Sequence, residues 1–288
     1  MKLVGKVALV AGGGQGIGEG IARCLAEEGA DVAISDINIE NAKKVADSAR
    51  EMGRRALAIH ADLANDDEAQ RTVQETLGSF GRIDILINNV GGLSEETLRL
   101  MAEYYVSLGD PALPSYLRYN SELWDRFYRL NLKTHVILSN AVTPHLTSQK
   151  SGSIVNISSV AGRNPDPDNI AYAAFKAGDI SITWSMARAL APYNVRVNCI
   201  CPGFVWTPLW ERAATAILDF LRHAPGGRNM EALSPNGFWL DYIVKPSTPL
   251  GREQTAEDMG RAAVFLVSED AKNITGQVLH VDGGMVTR

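Results

Sequence analysis

Seven short runs rich in Val, Ile and Leu recur along the 288-residue chain, and most are parted by a longer stretch of helical pattern. The runs are KVALVA (6–11), DVAISD (31–36), RALAIH (55–60), RIDILIN (82–88), GSIVNIS (152–158), NVRVNCI (194–200) and GQVLHVD (276–282). Most are nearly continuously apolar rather than alternating. Strands covered on both faces need that pattern, because neither face meets water. The helical patterns between them cover about 16–29, 38–52, 66–80, 121–149, 170–191 and 255–268. Such alternation predicts an α/β fold: a single open, doubly wound parallel sheet with helices on both faces. One domain is expected to span residues 1–288, since sheets of this kind often run this long as one unit.

Two stretches break the rhythm. Residues 92–122 and 207–252 are far longer than the usual connection of about 4–6 residues, so both should carry helices of their own. Both follow strand ends, and ligands of such sheets bind outside the carboxyl ends of the strands. They are therefore expected to form a substrate lid. The segments hold Tyr104, Tyr105, Tyr116, Tyr119, Trp210, Phe220, Phe238, Trp239 and Tyr242, a composition suited to an apolar pocket wall. Surface decoration, or aromatics packed on one another or on a second subunit, is the competing reading. Arg118, Glu211, Arg212 and Asp241 could instead bring polar groups to the site.

Composition excludes several classes of partner. Hydrophobic residues make up 45% and charged residues 21%, enough for a large core and against general disorder. A net charge of −5 with no Lys/Arg run argues against a nucleic-acid partner. No apolar run approaches the roughly eighteen residues of a membrane span, so no membrane partner is expected. The opening MKLVGKVALVAGGG lacks the pattern of a signal peptide, which makes a cytoplasmic protein the expectation. Cys24, Cys199 and Cys201 are an odd number in a long chain and no disulfide framework, and the flanks VRVNCICPG make Cys199 and Cys201 read as buried thiols at a strand end. The five histidines are scattered singly, so no metal site is expected.

The first strand runs into AGGGQGIG (11–18) and then into the first helix. Gly12, Gly16 and Gly18 permit a tight turn, close backbone approach to a pyrophosphate, and close helix–strand packing. Gln15 and Ile17 lie in the same turn, whose helix offers free N–H groups and a partial positive charge to phosphates. An acid about twenty residues further on strengthens the motif. That acid is Asp36, whose carboxylate can accept from both adenosine ribose hydroxyls and would repel the extra phosphate of NADP. The following INIE supplies no cation to offset it, so NAD is the expected cofactor. A helix cap for NIENAKKV is the alternative role for Asp36.

Within AYAAFKAG (171–178), Tyr172 and Lys176 stand four residues apart, on one face of a helix. A lysine there favours the phenolate of a phenol whose pKa is otherwise near 10. A packed tyrosine and a solvated lysine is the plainer reading of that pair taken alone.

Taken together, the glycine spacing, NNVG (88–91) and Tyr172-x-x-x-Lys176 resemble the short-chain dehydrogenase/reductase family over essentially the whole chain. The resemblance implies a Rossmann-type fold and an NAD-linked enzyme interconverting a secondary alcohol and a ketone. ADL (61–63) would place Asp62 and Leu63 at the adenine. NISSVAG (156–162) puts Ser159 thirteen residues before Tyr172, the family's separation for its catalytic serine, with Ser158 a rival. Asn131 in NL (131–132) would hold a water leading from Lys176 to solvent, or else be bonded within a kinked helix. Asn89 would support the end of the fourth strand. In CPGFVWT (201–207), Pro202, Gly203, Val205 and Thr207 would fold over the nicotinamide, with Val205 and Thr207 meeting its carboxamide. TGQVLHVDGG (275–284) resembles the family's last strand.

By this resemblance Tyr172 is the general base or acid, Lys176 holds the nicotinamide ribose, and Ser159 binds the substrate oxygen. A homotetramer or dimer built through helices 121–149 and 170–191 is implied as well. The first expected substrate is a bulky or ring-bearing small-molecule alcohol, with a sugar or polyol second. A nucleotide-sensing protein without chemistry should have lost one of Ser159, Tyr172 and Lys176, and this chain keeps all three. Ala11 for the usual threonine and Val90 for the usual alanine depart from the pattern without removing a reacting group.

Overall fold

The computed structural model describes residues 1–93, 119–164, 169–223 and 233–287. Seven strands form one parallel sheet in the order β3-β2-β1-β4-β5-β6-β7. They are β1 (Val7–Ala11), β2 (Asp31–Asp36), β3 (Ala56–His60), β4 (Ile85–Asn88), β5 (Gly152–Ile157), β6 (Val195–Pro202) and β7 (Val278–Val281). Six lie within an expected run, and β6 starts in its run and continues two residues past it.

Alternate residues of a strand point to opposite faces, and the sheet shows it directly. Val10 and Ile34 pack with Ile21 and Leu25 of α1 (Gly16–Glu27), Val45 of α2 (Ile39–Glu51) and Met259 of the last long helix. Leu9 and Leu86 pack on the other face with Val73 of α3 (Asp66–Phe80), Leu138 of α4 (121–149) and Leu190 of α5 (Ile170–Leu190). Helix α4 runs as Ser121–Tyr128, a π turn at Arg129–Lys133, and Thr134–Gln149, and α5 is Ile170–Leu190.

Helix starts follow local chemistry. Asn38 caps α2 by accepting from the amides of Glu40 and Asn41, and Asn65 caps α3 in the same way. This corrects the alternative reading of Asp36 as the cap: Asn38 is two residues closer to the helix and takes that role. Segment 207–252 does carry helices, α6 (Pro208–His223) and α7, which runs as Pro235–Phe238, a π turn at Trp239–Val244, and Lys245–Ser247. Helix α8 (Ala256–Val267) opens on a capping box between Thr255 and Asp258. The first insertion, with Tyr104, Tyr105, Tyr116 and Arg118, lies almost wholly outside the described residues.

Candidate active site

Strand order reverses at β1, whose neighbours β2 and β4 lead their connections to opposite sides, and a crevice opens beyond the strand ends there. A cavity of about 1060 Å³ occupies it. All the expected site residues line this cavity except Gly18 and Asn131.

The glycine turn begins at Gly12, whose N–H donates to Ser35 O at 2.7 Å. Gly12 and Gly16 have φ of +65° and +59°, which L side chains rarely adopt. Gly18 serves packing instead. A Cβ there would overlap the Gly12 carbonyl oxygen and come within 2.6 Å of the Asn89 amide nitrogen. That nitrogen donates to Gly12 O at 2.9 Å, tying the end of β4 to the turn. Unlike α2, α3 and α8, helix α1 has no side-chain cap at its N-cap Gln15, so its first amides remain available to a phosphate.

At the end of β2 the Asp36 carboxylate accepts from Gly14 N and from Asn38 N, each at 2.9 Å. Each oxygen keeps lone-pair capacity for a ribose hydroxyl. Asp62 accepts from Ala64 N at 3.0 Å and from Arg129 at 2.6 Å. Partial burial works against its charge, but these two donors win and hold its carboxyl below the usual range. The Arg129 partner came from no local motif.

The groups expected to react meet near the ends of β5 and β6. Lys176 is 3% exposed, and its Nζ lies 5.9 Å from the Tyr172 ring centre, so the pair does share a face of α5. Tyr172 itself is half-buried at the cavity wall. Nζ donates to Ile157 O at 2.9 Å and to Asp179 Oδ2 at 3.0 Å, which leaves one of three hydrogens uncommitted. Burial pulls the lysine toward its neutral form, but Asp179 and Tyr172 outweigh it and hold the ammonium above its ordinary pKa.

The two serines separate cleanly. Ser158 is buried and its hydroxyl donates to Lys176 O at 2.6 Å. Ser159 accepts from Ala161 N at 3.1 Å, leaving its O–H free to donate. Asn131 is fully buried in the π turn of α4, where its Oδ1 accepts from Gly92 N at 2.9 Å and its Nδ2 faces Gly92 O and Phe127 O. Its side chain is thus bonded within the kinked helix and to the β4 extension. Across the cavity, Val205 pairs with Gln254 in an isolated bridge, and Thr207 stands opposite Gly16.

The aromatic residues of the second insertion divide in three, with Phe220 and Tyr242 exposed and off the cavity wall. Trp210 lines the cavity with Phe204, whereas Phe238 and Trp239 are buried in a small core of their own, Trp239 lying 4.9 Å from Trp206. Glu211, Arg212 and Asp241 are exposed and absent from the cavity wall, and Asp241 pairs with Lys245 at 2.6 Å.

Comparison with known sequences agrees with this geometry. A family model described as short chain dehydrogenase matches residues 6–217, and one described as Enoyl-(Acyl carrier protein) reductase matches residues 239–286. The chain belongs to the short-chain dehydrogenase/reductase family. It is 32% identical to the 3-oxoacyl-(acyl-carrier-protein) reductase FabG of Thermotoga maritima, over 99% of this chain and 100% of that protein. Among solved structures, NAD+-bound xylitol dehydrogenase aligns with a TM-score of 0.82 at 30% identity, covering 99% of this chain and 100% of the other. Levodione reductase aligns with 0.81 at 27% identity, covering 98% of each. The chain is therefore an oxidoreductase of that family, acting on a carbonyl or hydroxyl group. Among the described residues no cluster of side chains could hold a metal, and no helix is long and apolar enough to cross a membrane.

Proposed function

We propose that the protein is an NAD-dependent oxidoreductase that interconverts a secondary alcohol and a ketone, with Tyr172 moving the hydroxyl proton. The observation carrying this reading is the meeting of Tyr172, the buried Lys176 ammonium and the free Ser159 hydroxyl on one cavity above the glycine turn. The uncapped start of α1 and the two-amide cradle of Asp36 fit a dinucleotide. When bound, its nicotinamide supplies the hydride acceptor or donor.

The chain's own groups do the rest. Ser159 donates to the substrate oxygen and orients it. Tyr172 takes the hydroxyl proton as phenolate, or returns it as phenol in the reverse direction. Lys176 keeps positive charge beside that oxygen and has a hydrogen left for the ribose. Asn131 fixes the Gly92 backbone at the edge of the site.

Trp210, Phe204, Leu209 and Leu93 give the cavity an apolar wall, which supports a bulky or ring-bearing substrate under a cover formed by the insertions. The likeness to xylitol dehydrogenase favours a polyol as the second reading. Exposed Tyr128, Leu130 and Trp184 on α4 and α5 support a homotetramer or dimer joined through those helices.

The test is a substrate panel with NAD: ring-bearing and short aliphatic secondary alcohols, polyols, and a 3-hydroxyacyl thioester. Wild type should favour the ring-bearing group, and a polyol preferred by a wide margin would reverse the substrate reading. Tyr172→Phe should lower kcat by about 10²–10⁴-fold while NAD binding changes little. A variant that kept most of its turnover would remove Tyr172 from the mechanism.

A further inference from the structure

Three residues after Lys176, α5 places a carboxylate in a stretch otherwise apolar or small, AGDISIT (177–183). Asp179 is fully buried, and a buried charge persists only when it is paired. Its Oδ2 accepts from Lys176 Nζ at 3.0 Å. Its Oδ1 lies 2.8 Å from Nδ1 of His135, a residue of α4 that is itself 1% exposed. The opposite ring nitrogen, Nε2, is 2.9 Å from Val90 O.

The proton count follows from these contacts. A backbone carbonyl oxygen only accepts, so Nε2 carries a hydrogen. A neutral ring would then turn the bare lone pair of Nδ1 toward the bare lone pair of a carboxylate. Two such atoms repel at 2.8 Å in a buried site, and one further proton on the pair relieves that repulsion. The contact is at hydrogen-bond distance without the alignment of a hydrogen bond, and neither atom has another partner among the described residues.

With that proton, the His135–Asp179 pair is neutral as a unit, and the three groups together carry the single positive charge of Lys176. Without it, the Asp179 carboxylate cancels the ammonium that Tyr172 faces. Among the described residues, the other titratable side chains turned toward the cluster are Tyr172 on α5 and Cys199 and Cys201 on β6. A hydrogen bond with Cys201, followed by burial, pushes the Cys199 thiol well above its ordinary value, so it stays neutral. From β5 comes the Ile157 carbonyl, and from the residue after it the Ser158 hydroxyl.

We infer that Asp179 and His135 are positioning residues for Lys176: Asp179 anchors the ammonium beside Tyr172, and His135 offsets the carboxylate so that the cluster still favours the phenolate. The inference rests on the acid–base role given to Tyr172 above.

The test is the acid limb of kcat/KM against pH for alcohol oxidation. It is measured with NAD on wild type, His135→Gln, Asp179→Asn and the double variant, each checked for folding by thermal melting. His135→Gln leaves Asp179 unbalanced and should move the limb upward by about one pH unit or more, the effect of one charge roughly 6–9 Å away at an effective dielectric near 20. Asp179→Asn should not move it upward. The double variant should bring it back beside wild type, because both charges are then gone. Should His135→Gln not fold, His135→Asn carries the same expectation. Limbs that stay put while kcat/KM losses simply add would overturn the inference and leave a purely structural role. Tyr172→Phe is run alongside. If that variant is inactive and the His135 limb does not move, this inference alone falls; if it stays active, the acid–base reading falls with it.

Discussion

In the proposed function cofactor choice turns on Asp36, and Asp36→Ser isolates its charge. In the wild type both carboxylate oxygens are fixed by backbone amides, Gly14 N and Asn38 N, so the group cannot swing away from an incoming phosphate. Among the described residues no cation pairs with Asp36. Lys43, on the helix that follows, is engaged by Glu40 at 2.8 Å, and Arg129 by Asp62 at 2.6 Å. Two unit charges about 4 Å apart interact by about 1 kcal/mol in water and about 4 kcal/mol at an effective dielectric of 20. A 2′-phosphate carries more than one charge, and the site is only partly buried, so the lower part of that range is a floor. Wild type should therefore prefer NAD over NADP by at least about tenfold in kcat/KM, or about 1.4 kcal/mol.

Serine keeps an acceptor for one amide and one ribose hydroxyl but removes the charge. NADP efficiency in Asp36→Ser should rise about tenfold as the repulsion disappears, and NAD efficiency should fall a few-fold with the lost charge-assisted hydrogen bond. Initial rates of nicotinamide reduction at limiting cofactor, for both cofactors and both proteins, give the four numbers needed. Equal use of NAD and NADP by wild type would refute the reasoning. So would a ratio that Asp36→Ser leaves unmoved.

Gly18→Ala forces the start of α1 away from the Gly12 carbonyl and breaks into the Asn89–Gly12 contact. Over-packing of about 1–3 kcal/mol with a strained hydrogen bond should lower the melting temperature by roughly 5 °C and weaken NAD binding about tenfold, read by calorimetry and cofactor titration. The two serines should part company in steady-state kinetics. Ser159→Ala removes the free donor and should cost about 10²–10³ in kcat. Ser158→Ala removes a bond to the Lys176 carbonyl and should cost about 1 kcal/mol of stability with kcat changed only a few-fold. The reverse pattern would exchange their roles.

What the sequence could reveal depended on how far apart the cooperating residues lie along the chain. Tyr172 and Lys176 are one helical turn apart, and the glycine turn is contiguous, so periodicity and local motif sufficed to bring them together. The strands were legible for a related reason: a run covered on both faces needs no partner to be recognised. Asp36 was half legible. Its position at the end of β2 could be read, but whether it caps α2 depended on where the helix begins, and Asn38 decided that by taking Glu40 N and Asn41 N.

Pairings across elements left no such trace. Arg129 reaches Asp62 across 67 residues, from the π turn of α4 to the loop after β3. His135 reaches Asp179 between helices on one face of the sheet. Each member read alone is an ordinary solvated or buried polar residue. Only Asp179 carried a local warning, since a carboxylate amid AGDISIT has no solvent face to turn to and so must have a partner.

The aromatic residues of the second insertion mark the same limit in apolar form. Composition told that Trp210, Phe238 and Trp239 would be buried somewhere, because large rings seek burial wherever it is offered. It could not tell a ring that walls a cavity from one that fills a core. That distinction is made by packing: Trp206 approaches Trp239 to 4.9 Å and Phe204 lies 6.5 Å from it, edge-on, so Trp239 is enclosed. Trp210, 5.4 Å from Phe204 on the cavity side of that group, keeps a face toward the cavity. The small core is thus the support, and in the proposed function Trp210 is the substrate contact. A substitution in the core should act on substrate recognition only through the placing of Trp210.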